Sequence, residues 1–269
     1  MMESIVTYLD LFKWGLLAGG TFALSSSFTS TFLVLKRNAL FPHALTHLLL
    51  FSLICLTLLS SYIPNILHFP FLLLITLMIS GLIHIFKAFL KLYEDSATSL
   101  TTHLFLGLAL FLASISSQYD ATLLNYLFGS LIMVDKKDAI EGFIVLTITI
   151  FIYKKHFPLW LTSCIDREIP GLNFKRSDLS LLLLVTLQIL IGVKLMGVLL
   201  VSSFYIFGTA FALRISPAFR YAIPTIALLN ILALAGGFFL SIFLDIPFSA
   251  SAIIFMSLYL FGLFLLSTK

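Results

Sequence analysis

The chain has 269 residues, of which 60% are hydrophobic and 10% charged, with a mean hydropathy of +1.12 and a net charge of +4. A soluble domain carries about 25% charged residues, so a soluble globular protein is excluded. The apolar runs are long and unbroken, which excludes a β-barrel with its short alternating strands.

Met1 to Asp10 lacks the basic lead and small-residue cleavage site of a signal peptide, so the first apolar run is expected to stay as a span. A helix needs roughly 20 apolar residues to cross a bilayer. On that measure the spans fall at about 11–35, 42–63, 70–91, 99–117, 137–157, 178–194, 197–214, 221–243 and 248–267. The stretch from Leu179 to Ser216 would run about 57 Å as one helix, too long for a single crossing. It must break, and Lys194-Leu195-Met196-Gly197 is the place. The expected fold is an all-α integral membrane protein, a polytopic bundle of eight or nine transmembrane helices with one broken near Gly197. We read residues 1–269 as one transmembrane domain.

Lys and Arg lie in short segments between the apolar runs, where they act as topology signals rather than a nucleic-acid surface. Nine crossings with the N-terminus outside put Lys36/Arg37, Lys87/Lys91, Lys154/Lys155 through Arg176, Arg214/Arg220 and Lys269 in the cytoplasm. Lys13, Lys136, Lys137 and Lys194 are then outside, and the C-terminus is cytoplasmic. Ser117 to Asp138 is too apolar for a plain loop and too interrupted for a span, so it reads as an interfacial or re-entrant piece. Lys154 to Asp178 is the longest polar stretch. It is either a docking surface for a soluble partner or a solvated connector.

Chemistry-bearing motifs are few. No G-x-x-x-x-G-K-[ST], H-E-x-x-H or G-x-S-x-G pattern occurs, so nucleotide cradling, zinc-protease and serine-hydrolase chemistry have no footing. Cys55 and Cys164 form neither a disulfide framework nor a zinc-finger spacing. His43 and His47 stand four residues apart, one helical turn, so both imidazoles project from one helix face. Two nitrogen ligands inside an apolar segment suggest a transition-metal contact. His84 and His103 lie in or beside other spans. The Ser25-Ser26-Ser27, Thr29-Ser30-Thr31 and Ser202-Ser203 runs, with Gly192, Gly197 and Gly208, read as helix-packing residues. The same hydroxyls could instead line a translocation path.

Several stretches together resemble the membrane permease subunit of ABC-type zinc, manganese and iron importers. Phe41-Pro42-His43-Ala44-Leu45-Thr46-His47 is similar to that family's aromatic-Gly-Asp-x-x-x-His, with His47 at the family histidine, His43 in place of aspartate and Pro42 in place of glycine. Glu94-Asp95-Ser96-Ala97, Leu127-Phe128-Gly129 and Leu244-Asp245-Ile246-Pro247 resemble further family stretches. Lys194 to Ser202 resembles its Lys-x-x-Gly-x-Leu-Leu-Val-Ser signature. Asp166-Arg167-Glu168-Ile169-Pro170-Gly171 resembles the family's ATPase-docking loop at both acids, with a shorter run before the glycine.

The resemblance implies a cytoplasmic coupling loop at about 154–178, in which Asp166, Glu168 and Gly171 face a separate ABC ATPase. It also implies a homodimer of permeases in the plasma (inner) membrane of a prokaryote, in contact with lipid, and an extracytoplasmic metal-binding protein. It further implies metal contacts at His43 and His47, no permanently bound cofactor, no enzymatic activity in this chain and no nucleic-acid partner. Two imidazoles in place of an oxygen–nitrogen pair favour zinc over manganese, which takes more oxygen; manganese and iron are the alternative cargoes. A secondary metal-ion transporter, a permease for iron chelates or cobalamin, and a membrane metalloenzyme are the alternative readings.

Overall fold

The computed structural model describes residues 2–115, 126, 129, 134–166, 169, 172 and 174–267. Nine α-helices run through them: α1 (Met2–Leu35), α2 (Phe41–Leu59), α3 (His68–Phe89), α4 (Glu94–Ile115), α5 (Lys136–Ile165), α6 (Phe174–Met196), α7 (Val198–Ile215), α8 (Phe219–Leu244) and α9 (Phe248–Ser267). Among the described residues no strand is present, and seven of the helices, α2 to α8, are long and apolar enough to cross a membrane. The bundle is therefore an all-α polytopic membrane protein, as its composition demands.

α1 is the central column, packed against α5, α6, α7 and α8. Its serines and threonines serve that position. Ser25, Ser26, Ser27, Thr29, Ser30 and Thr31 are all buried, and most return their hydroxyls to carbonyls three or four residues back, as in Ser25 to Phe22 O and Thr31 to Ser27 O. Small hydroxyl side chains satisfied in this way let neighbouring backbones come close in a medium without water. Gly208 does the same on α7, where an added Cβ would strike the Asn230 side chain of α8.

Two polar side chains knit the column to its neighbours. Gln188 of α6 donates from Nε2 to Ser25 O of α1 and to Thr149 Oγ1 of α5, each at 3.0 Å. Its Oε1 accepts from Thr29 and from Tyr205 of α7, each at 2.7 Å. Asn230 of α8 donates to Phe204 O at 3.3 Å and reaches Ala23 O at 3.4 Å. Thr209 of α7 donates to Ser30 at 2.7 Å. Gln188, with both ends of its carboxamide bonded, is accepted in a membrane interior, and it specifies which helix faces which.

Gly197 separates α6 from α7 with φ +80° and ψ 163°, a conformation that side chains resist. Gln188 and Tyr205 flank it and are hydrogen-bonded to each other, whereas on one straight helix they would stand about 25 Å apart. The chain turns back on itself at Gly197. The expected break is thus a full reversal, and α7 packs as a helix of its own.

Two ends of the bundle can be told apart by their charges. At one end Lys194, near the C-terminus of α6, binds Asp138 at 2.6 Å and Glu141 at 3.1 Å at the start of α5. At the other, Lys36 binds Asp178 at 2.6 Å, joining the end of α1 to the start of α6. Trp160 is fully buried there, and its Nε1 donates to Ser177 O at 3.0 Å, so α5 is fastened to α6 on either side of the polar connection.

Candidate functional site

α1 closes at Arg37, whose φ of +60° lets the Asn38 N–H return to Leu33 O. Four residues after Arg37 α2 begins, with Pro42 in its first turn, where a missing N–H costs nothing. His43 therefore enters the first turn of the helix and His47 the second. Their ring centroids lie 4.6 Å apart with the planes at 89°. The sequence spacing is realised as a side-by-side pair.

The pair's surroundings differ ring by ring. His43 is exposed and His47 half-buried, while Ala44, Leu45 and Leu48 on the opposite faces of α2 are buried in the core. Nδ1 of His47 is buried with no hydrogen-bond partner among the described residues. An unpaired buried nitrogen costs about 1–3 kcal/mol, so a site that keeps one is poised for a ligand. His103, from the third turn of α4, lies close enough for its charge to act on both rings. Phe51 and Phe105, with centroids 5.0 Å apart, lock α2 against α4 just beyond the histidines.

Tyr126, from the segment between α4 and α5, donates its hydroxyl to Thr46 O at 2.6 Å, between the two histidines in sequence. Gly129 of the same segment has φ +65°, and a Cβ there would fall 2.7 Å from Met196 O. Tyr126 thus touches the histidine helix and Gly129 the reversal at Gly197.

The other site residues from the sequence separate. His84 lies on α3 beside Glu94, and both line a cavity of about 690 Å³. His68 Nε2 lies 3.2 Å from Ile63 O, and His156 stacks on Trp160. Asp166 closes α5 in extended backbone, its N–H donating to Thr162 O. Glu168 and Gly171 lie outside the described residues, as do Leu127 and Phe128. Among the described residues no group of three His, Cys, Asp or Glu side chains is arranged to hold a metal ion. The arrangement offers two imidazoles, with a third nearby, and leaves the rest of a coordination shell open, which suits transient rather than permanent binding.

The fold is that of a polytopic helical membrane protein, with a histidine pair on α2 and a reversal at Gly197. The chain belongs to the ABC 3 transport family, whose pattern it matches over residues 8–267. It is 29% identical over 246 residues to the high-affinity zinc uptake system membrane protein ZnuB of Buchnera aphidicola, covering 89% of this chain and 91% of that one. A probable metal transport system membrane protein of Chlamydia trachomatis is 26% identical over 191 residues, covering 68% of this chain and 59% of that one. Among solved structures, PsaBC from Streptococcus pneumoniae in complex with Fab shares the fold, with a TM-score of 0.84 at 17% identity over 96% of this chain and 94% of that chain.

Proposed function

We propose that this chain is the transmembrane subunit of an ATP-driven importer of a divalent transition metal, and that the metal is zinc. The observation that carries the reading is the His43–His47 pair, two imidazoles 4.6 Å apart on one face of a membrane helix with His47 Nδ1 unpaired. Neutral imidazole is a zinc ligand of choice, whereas manganese favours oxygen. The zinc-uptake name carried by the Buchnera relative points the same way. His103 from α4, water, or groups from a second copy of the chain would complete the shell while the ion passes.

In this reading residues 1–269 form one permease domain, two copies line the path, and an extracytoplasmic metal-binding protein delivers the ion. A separate ATPase docks at the connection between α5 and α6, where Asp166, Glu168 and Gly171 stand. Lys36, Arg37, Lys87, Lys91, Lys175, Arg176, Arg214 and Arg220 gather at the ends of the bundle nearest that connection. The positive-inside rule supports placing it, and the C-terminus, in the cytoplasm of a prokaryotic cell. ATP binding and hydrolysis in the partner would rock the helices between outward and inward states.

The test is zinc accumulation in cells that depend on this importer. His43→Ala and His47→Ala are expected to reduce uptake at least tenfold with normal membrane insertion, and His103→Ala to reduce it less. Wild-type uptake in both pair variants would sink the site. Selective manganese or iron uptake by the wild type would overturn zinc as the cargo.

A further inference from the structure

The turn between α1 and α2, Lys36-Arg37-Asn38, is held from two sides. On one side the Lys36 ammonium donates to Asp178 at 2.6 Å, in the second turn of α6. The Lys36 side chain is only 3% exposed, and a buried ammonium is stable only while its carboxylate stays with it. On the other side Asn38 Nδ2 donates to Glu94 Oε1 at 2.8 Å, and Glu94 Oε2 accepts from Lys87 at 2.7 Å. Glu94 begins α4, and Lys87 ends α3.

What these links connect gives them meaning. Asp178 lies four residues into α6, just beyond the α5–α6 connection, and Trp160 clamps Ser177 beside it. Lys36 and Asn38 lie in the turn that launches α2, and His43 follows within its first turn. Glu94 leads along α4 to His103. One polar chain therefore runs from the base of the α5–α6 connection to both helices that carry the three histidines.

The links also have room to move. Lys36, Asn38, His84, Lys87, Glu94 and Asp178 line the cavity of about 690 Å³ between α3 and α6. Both turns in the chain hold a non-glycine residue in the left-handed region, Arg37 at φ +60° and Lys91 at φ +53°. Such residues are uncommon and are kept there by their surroundings.

We propose that Lys36 and Asn38 are positioning residues, which pass a displacement of the start of α6 to the histidine-bearing helices α2 and α4. The proposal rests on the reading that an ATPase engages the α5–α6 connection. It requires that the Lys36–Asp178 link, not merely charge balance, be intact.

Two measurements on the full chain test it. In the reconstituted complex with its ATPase, zinc moved per ATP hydrolysed is compared for wild type, Lys36→Met, Asn38→Ala and the neutral double variant Lys36→Met/Asp178→Leu. Expected is a fall of at least tenfold in zinc per ATP for the double variant, with hydrolysis kept within about threefold. The double variant removes the Lys36 ammonium and its carboxylate together, so a role limited to balancing that charge would return it to wild-type coupling and overturn the proposal. Equal losses of hydrolysis and transport would overturn it too.

The second measurement needs no partner. Spin labels at Leu59→Cys and Leu183→Cys, with Cys55→Ser and Cys164→Ser, report the α2–α6 distance in nanodiscs. Lys36→Met is expected to broaden or shift that distribution, and an unchanged distribution overturns the proposal. If the label distance responds while the wild-type complex moves no zinc, the importer reading fails and the mechanical link stands.

Discussion

Gln188 and Tyr205 stand on opposite sides of Gly197 and share a hydrogen bond of 2.7 Å, from the tyrosine hydroxyl to the carboxamide oxygen. The same carboxamide binds Ser25, Thr29 and Thr149, so four helices meet at one side chain. Gln188→Leu removes all four bonds. At roughly 0.6 kcal/mol per bond within a membrane the loss is about 2 kcal/mol, read as a lower thermal midpoint in detergent. Thr225→Ala, which removes one exposed bond to Tyr221 O, is the control and should leave the midpoint unchanged.

Gly197 holds the turn between α6 and α7 at φ +80°. Gly197→Val forces a β-branched residue into a region nearly reserved for glycine, at a cost of about 1–3 kcal/mol. The expected result is less folded protein in the membrane and faster proteolysis near residue 197. Gly20→Ala, where an added Cβ meets nothing within 4 Å, should be silent in the same assay.

Metal affinity at His43 and His47 is expected to fall with acid. A histidine gives up its lone pair when protonated. Zinc uptake should therefore weaken as the pH on the site's side falls. His43→Asp, which replaces one imidazole with a carboxylate, should flatten that response and raise the ratio of manganese to zinc transported. An unchanged metal ratio and pH profile in this variant would speak against His43 as a ligand.

Asp135 caps α5, accepting the N–H groups of Asp138 and Lys137 at 3.0 and 2.9 Å, while Asp138 returns a bond to the Asp135 N–H. The bond from the Asp138 N–H, then that from Lys137, holds the Asp135 carboxyl below its ordinary value. With the folded value depressed, the stabilisation is complete above the unfolded carboxyl's pKa, near 4, and is lost as pH falls through the lower folded value. Hydrogen exchange at Lys137 and Asp138 should accelerate in Asp135→Ala at pH 7, and much less in Asp135→Asn, which can still cap.

The span positions were legible because the bilayer asks one simple thing of a sequence, a run of about 20 apolar residues. The expected run at 221–243 became Phe219–Leu244 and that at 178–194 became Phe174–Met196, whereas 137–157 lengthened to Lys136–Ile165. The reversal at Gly197 was legible only as a break, since its direction depends on Gln188 finding Tyr205. The His43–His47 pair followed from helical periodicity alone. That His103 lies near it could not be read from spacing, because it sits on a different helix and only packing decides which helices adjoin.

By itself, then, the sequence determined the all-helical membrane class, the approximate place of most spans and the one-turn spacing of the histidine pair. All of these depend on local hydropathy and the 3.6-residue turn. Tertiary structure alone decided that α1 is the central column and that Lys36, 142 positions from Asp178, shares a part-buried ion pair with it. The physical reason is that such contacts lie between residues distant in the chain. In a medium as apolar as the side chains themselves, close fit and polar satisfaction choose the neighbours, and neither is written in any local run.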